Sequence, residues 1–198
     1  MIIYIKDSMA HVDISHQDYS NALLLLEKSS EDLLLLGITI DFAADHAQSK
    51  IIRDFVGSIF DRYDVLAPWK GRFILITDEL INNAIEHGSS PGDINTCFIQ
   101  AGEREDKNFY IHLEVHDTGT GKDSEKAKDM MQIKTDHSHD TDESGVYMEK
   151  RGRGLFHITE KLVDSLEFTK STRGGLAVKI EKHIPKLPST HLEALSHL

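Results

Sequence analysis

Between Phe109 and His116 the chain alternates without a break. Phe109, Ile111, Leu113 and Val115 fall on one side, and Tyr110, His112, Glu114 and His116 on the other. A period of two over such a run is the mark of a half-buried strand. Ile38, Ile40 and Phe42 repeat the pattern against Thr39 and Asp41. Strands of this kind need an apolar layer on one side only. Between the two lie Ile51, Ile52, Phe55, Val56, Ile59 and Phe60, which recur at helical spacing, and a second helix from about Lys70 to His87. Clustered helices with mostly antiparallel strands predict an α+β fold, a two-layer sandwich of helices on one face of a mostly antiparallel mixed sheet.

Local signals set the boundaries. Asp45 with Gln48 three residues later resembles a capping box for the first helix. Pro68 closes the connection to the second, which Gly88-Ser-Ser-Pro-Gly92 ends with strong breakers. Strands are predicted at Ile94–Gln100 and Phe109–His116. A polar stretch from Lys122 to Lys150 then lacks periodicity apart from a short helix near Ala127–Ile133. Next come a helix from Gly154 to Leu166, with Leu155, Ile158, Leu162 and Leu166 on one face, and a hairpin. Its strands, Glu167–Lys170 and Leu176–His183, flank Ser171-Thr-Arg-Gly-Gly175. Three segments result: an N-terminal extension, 1–35, a core, 36–184, and a tail, 185–198. The extension should hold a strand at Ile2–Ile5 and helical material containing Leu23–Leu26 and Leu33–Leu36.

Three short motifs carry the chemistry. The first is Glu79-Leu-Ile-Asn-Asn83, on the second helix. Phe73, Ile74, Leu80, Ile81, Ala84 and Ile85 lie on one side of that helix, while Glu79, Asn83 and Glu86 share the opposite arc. This can be a plain solvated face. Against that, adjacent Asn82 and Asn83 are poor helix-interior residues, because their side chains compete for backbone hydrogen bonds. An amide oxygen at Asn83 can ligate Mg²⁺, and Glu79 can accept a proton from an attacking hydroxyl. The second motif, Asp117-Thr-Gly-Thr-Gly121, follows the Phe109 strand. A carboxylate there can accept from the exocyclic amine of adenine, with Gly119 and Gly121 permitting close approach; a surface turn has the same composition. In the third, Gly152 and Gly154 bracket Arg153 after Arg151, just before an apolar-periodic helix opening at Leu155. Unpaired N–H groups at a helix start receive phosphate, and the arginines add charge; a flexible linker is the alternative. Neither a Walker nor a Rossmann fingerprint is present.

In this order and spacing the motifs resemble the N, G1 and G2 boxes of the histidine-kinase-like (GHKL) ATPase superfamily, over roughly residues 36–184. Glu79-x-x-x-Asn83 and Gly152-Arg-Gly-Leu-Phe-His-Ile-Thr-Glu-Lys-Leu-Val-Asp164 are most similar to bacterial anti-sigma-factor serine/threonine kinases. The resemblance implies a Bergerat-type ATP-binding fold with ATP and Mg²⁺ as cofactors. Asn83 would hold Mg²⁺, Asp117 the adenine amine, and Gly119 and Gly121 would shape the base pocket. Arg151, Gly152, Arg153, Gly154 and Leu155 would line the phosphates, Glu79 would be the catalytic base, and 122–150 the ATP lid. It further implies phosphorylation of a STAS anti-anti-sigma partner, with a sigma factor or other regulator as a second partner and a homodimer as an assembly. Two positions depart from the pattern: Lys122 follows Gly121, and Leu176 follows Gly174-Gly175 where many relatives have Thr. A nucleotide-gated binding switch and a split histidine-kinase catalytic domain are the alternatives.

Composition narrows the rest. With 22 basic against 33 acidic side chains the net charge is −11, so a direct nucleic-acid surface is not expected. No apolar run approaches the ~20 residues that cross a bilayer, so no membrane association is expected. A single cysteine, Cys97, fits a reducing compartment, and Met1–Asp7 lacks a basic leader with a long apolar stretch; a cytoplasmic location is expected. Cys97 reads as a small core residue and Trp69 as a packing anchor, and His137-Ser-His139-Asp140 lacks a further spaced metal ligand.

Overall fold

The computed structural model describes residues 9–30, 36–122 and 162–185. Six strands form one sheet: β1 (Ala10–Asp13), β2 (Leu36–Ala43), β3 (Ile94–Glu103), β4 (Phe109–His116), β5 (Ser165–Lys170) and β6 (Leu176–Ile184). Their spatial order is β1-β2-β3-β4-β6-β5. β1 pairs with β2 in parallel, and every other pairing is antiparallel. Three helices, α1 (Tyr19–Ser30), α2 (His46–Arg62) and α3 (Ala67–Asn83), complete the described elements, and α3 runs on into a π-helical turn, Ala84–Gly88. The expected two-layer α+β architecture is the one found.

Alternation explains the layering. One row across the sheet reads Ile40, Cys97, Val115, Val178; the next reads Asp41, Thr96, His116, Ala177. The first row belongs to the core and includes the buried Cys97. Its covering layer comes from the apolar faces of α2 and α3, with the Phe60 ring tilted against Phe73 at 5.2 Å and against Phe109 at 5.1 Å. Burying a phenylalanine contributes ~1.5–3 kcal/mol, so this trio is a principal tie between the layers. Trp69 packs at the edge of the same core, as expected of an anchor.

Several boundaries differ from expectation. Pro68 lies in the first turn of α3 rather than in the connection before it, at a position where its missing N–H costs nothing. Asp45 caps α2 by accepting the Ala47 N–H at 2.9 Å, yet Gln48 is buried and returns no bond to the Asp45 N–H, which Ala43 O already takes. Leu36 opens β2 opposite Ala101 and is not helical. Leu166 lies in β5 opposite Ile180 and is not helical. Asp164 accounts for this: its N–H reaches Glu181 O and its carboxylate accepts the His183 N–H, so the chain is already bound to β6. β1, unforeseen at Ala10–Asp13, adds to the sheet edge, and α1 is fastened to α2 through Tyr19–Asp54 and Arg62–Ser30. The strand expected at Ile2–Ile5, Leu33, the short helix near 127–133, the His137–Asp140 group and the tail beyond Pro185 lie outside the described residues. Among the described residues no helix is long and apolar enough to cross a membrane.

Candidate functional site

On α3 the buried side is Phe73, Ile76, Thr77, Leu80 and Ile81, continued by Ala84 and Ile85. Ile76 is core and Ile74 only half-buried, so the apolar face is rotated from the expected one toward Glu79 and Asn83. Those two therefore stand at the border of the covered face. The Asn83 amide donates to Glu79 Oε1 at 3.3 Å, leaving its carbonyl oxygen without a partner among the described residues. Asn82 turns elsewhere: its Oδ1 lies 3.2 Å from His46 Nδ1 at the start of α2. Burial lifts the Glu79 carboxyl above the ordinary glutamate range. The Asn83 hydrogen bond works against this, and the Glu86 and Asp78 charges add to it. A half-buried carboxylate beside an exposed amide oxygen suits proton acceptance next to a hard cation.

The π-helical turn then delivers Gly88 against Asp117. A Cβ built on Gly88 would lie 2.3 Å from Asp117 Cγ, and one on Gly121 would lie 2.1 Å from His87 O. The Gly121 N–H donates to Gly88 O at 3.3 Å. Any larger residue at these points would part the helix end from the Asp117-Thr-Gly-Thr-Gly121 turn. A single π-turn is a common device for re-aiming the end of a helix at a site.

Asp117 is held from the other side by the β5–β6 turn. Its Oδ1 accepts the Gly119 N–H at 2.9 Å and the Leu176 N–H at 3.0 Å, and its backbone carbonyl accepts Ser171 Oγ at 2.7 Å. Gly119 has φ +71°, and a Cβ there would lie 2.7 Å from Gly175 Cα; a Cβ on Gly175 would fall on Asp117 Oδ1 itself. The side chain is buried, and burial raises its carboxyl above the ordinary aspartate range even though Leu176 and Gly119 oppose the rise. Oδ2 takes no hydrogen bond among the described residues. It is a fixed acceptor, walled by glycine, that fits a ligand amine.

Glu79, Asn83, Asp117, Gly119 and Gly121 are thus brought into one region, joined by the Gly88–Asp117 contact. Arg151, Gly152, Arg153, Gly154 and Leu155, and the stretch from 123 to 150, lie outside the described residues. Sequence reasoning missed three members. Gly88 read as a helix breaker, Gly175 as a hairpin glycine, and Ser171 as a turn residue; only tertiary contact reveals what each touches. A cavity of about 600 Å³ lies elsewhere, among Gln100, Glu103, Arg104, Asp106 and Tyr110. Tyr110 is at the opposite end of β4 from Asp117, so this cavity takes no part in the site.

Comparison with known proteins identifies the domain. The sequence profile of the histidine kinase-like ATPase domain matches residues 42–182, which takes in α2, α3 and strands β3 to β5 whole, together with most of β6. No curated protein matches the chain.

Proposed function

Because the chain belongs to the histidine kinase-like ATPase family, we propose that it binds magnesium–ATP and acts as a protein serine/threonine kinase of the anti-sigma-factor type. Its substrate in this reading is a STAS anti-anti-sigma protein in a bacterial partner-switching pathway. One observation carries the reading: Glu79 and Asn83 stand one helical turn apart, hydrogen-bonded, on the helix whose end is seated against Asp117.

Asp117 Oδ2 would accept the adenine amine, with Gly88 and Gly175 excluding any side chain from the carboxylate. The Asn83 carbonyl oxygen would hold Mg²⁺, which supplies charge neutralisation at the phosphates. Glu79, with its raised carboxyl, is suited to take the proton of the attacking serine or threonine hydroxyl. The hydroxyl oxygen bonds to the γ-phosphorus, the bond from that phosphorus to the bridging oxygen breaks, and ADP leaves. Arg151, Gly152, Arg153, Gly154 and Leu155 complete the phosphate side, and 122–150 serves as the lid.

Incubation with Mg-ATP and a cognate STAS protein should yield acid-stable phosphoserine or phosphothreonine. Nucleotide binding without any such product, or with an acid-labile one, would defeat the assignment. One feature favours a second reading, a nucleotide-gated binding switch with little chemistry. Leu176 stands where many members of the resembling family place threonine, so Asp117 is held there by a backbone N–H and not by a hydroxyl. Glu79→Gln separates the two: a kinase loses turnover, whereas a switch keeps its ATP-dependent partner binding.

A further inference from the structure

The Asp117-Thr-Gly-Thr-Gly121 turn carries two threonines, and both hydroxyls converge on one carboxylate from another loop. Asp93, five residues beyond Gly88, accepts Thr118 Oγ1 at 2.7 Å, the Ser90 N–H at 2.9 Å and Thr120 Oγ1 in a shorter contact, all on Oδ2. Ser90 Oγ donates to Thr120 O at 2.9 Å, and the Thr118 N–H points to Ser89 Oγ at 3.4 Å. Asp93 is itself anchored at the sheet, since its carbonyl accepts the Ala44 N–H at 2.9 Å and its N–H bonds to Ser90 O at 3.0 Å. The turn also meets the helix end through the Gly121 N–H to Gly88 O bond at 3.3 Å, the Ser90 N–H to Thr120 Oγ1 bond at 3.0 Å, Thr118 Oγ1 with Ser89 Oγ at 3.3 Å, and the packing of Gly88 on Asp117. The bonds of Asp117 run to the other side, toward Ser171, Gly175 and Leu176.

We propose that Asp93 is a positioning residue for nucleotide binding: through Thr118 and Thr120 it locks the base-binding turn to the end of α3, fixing the separation between the Asp117 carboxylate and the Glu79–Asn83 pair. The inference rests on the nucleotide reading given above. Asp93 touches no reacting group. It acts by keeping two halves of a site, contributed by distant parts of the chain, at one spacing. A ligand that must engage both halves binds tightly only if that spacing is set beforehand. The three hydroxyl and amide donors also hold the Asp93 carboxyl below the usual aspartate range, Thr120 most strongly, so it stays a charged and therefore strong acceptor.

The test uses the full chain as wild type, Asp93→Ala, Asp93→Asn and Thr118→Val/Thr120→Val. Two measurements are made: Mg-ATP affinity by calorimetry, and amide hydrogen exchange without ligand. Asp93→Ala should weaken Mg-ATP binding about ten-fold, the scale of one lost hydrogen bond to a charged acceptor. Exchange should quicken across 118–121 and not in α3 or β4. Asp93→Asn, which keeps an acceptor oxygen, should recover most of the affinity. The double threonine variant, which also loses the bonds to Ser89 and Ser90, should weaken binding at least as much as Asp93→Ala, and adding Asp93→Ala to it should change little more. Unchanged affinity in Asp93→Ala, or exchange that rises throughout the sheet, would overturn the proposal. The exchange arm reads the lock without nucleotide, so a wild-type chain that ignores Mg-ATP would sink the nucleotide reading by a separate route. A normal turn in Asp93→Ala would sink the lock alone.

Discussion

A single buried carboxylate at this site, Asp117, works against stability, as the proposed recognition role would require. Burial raises its carboxyl above the unfolded value, so the ionised form costs folding energy at neutral pH. Asparagine is nearly the same shape, and its carbonyl oxygen can keep both bonds that Oδ1 makes to Gly119 and Leu176. Asp117→Asn should therefore raise the melting temperature of the nucleotide-free chain, by about 2–4 °C for each ~1 kcal/mol recovered, while losing ATP binding. The sign follows from linkage. For an acid whose folded pKa is raised, the penalty applies above that pKa and fades as pH falls through it toward the unfolded value near 3.8. The gain should thus shrink on acidification, and thermal melts at several pH values would show whether it does. Two glycines on the same helical path supply a contrast. Gly71 has nothing within 4 Å of a built Cβ, so Gly71→Ala should stabilise α3 by about 0.5–1 kcal/mol. Gly88→Ala would drive its methyl into Asp117, and nucleotide affinity measured by calorimetry should fall more than ten-fold, on the order of 1.4 kcal/mol or beyond.

Among the elements, what could be read in the sequence follows from how much of each element's identity is local. β4 and β2 announce themselves by alternation, and α2 by six apolar residues at helical spacing, because one face of each is covered by a single layer. β1 has four residues, too few for a period, and exists because it pairs with β2. Leu162 and Leu166 are equally spaced for a helix, and only the bonds of Asp164 to β6 decide that Leu166 belongs to a strand. The π-turn has no sequence signature. Asp41 ties several elements together: it accepts Thr96 Oγ1 at 2.7 Å from β3, pairs with Arg173 of the β5–β6 turn, and lies 3.1 Å from His11 Nε2 on β1. Burial pushes its carboxyl up, but Thr96, Arg173 and His11 together hold it below the ordinary aspartate range. A depressed pKa contributes stability that is present above the unfolded value of 3.8 and disappears as pH falls through the folded one. Asp41→Ala should cost about 1–3 kcal/mol near neutrality in urea unfolding. That gap should close in acid; a gap that stays constant to low pH would show that the carboxylate is not the tie.

For the whole molecule, the site is an agreement between segments far apart in the chain. In the proposed reading α3 would carry the metal end and the turns after β4 and before β6 the base end, and glycine contacts together with the Asp93 loop join these segments. Each motif could be picked out in the sequence, but the contact that joins them could not, because nothing in Gly88 or Gly175 names Asp117 as its neighbour. This arrangement has a thermodynamic consequence. A ligand that binds only when both ends are in place binds only the folded chain, so its affinity adds directly to stability. At a concentration of ~100 times Kd, Mg-ATP should contribute about 2.7 kcal/mol, which in a chain of this length is about 5–10 °C in the melting temperature. If Asn83 supplies the metal ligand, chelating magnesium should remove part of that shift in the wild-type chain. Asn83→Ala should show only the smaller shift, with or without magnesium. Since the Asn83 side chain is exposed and, among the described residues, bonded only to Glu79, the same substitution should leave the nucleotide-free melting temperature nearly unchanged. A magnesium-dependent shift that survives in Asn83→Ala would move the cation to another residue. A shift absent from the wild type would mean that the two ends, though adjacent, do not grip a nucleotide together.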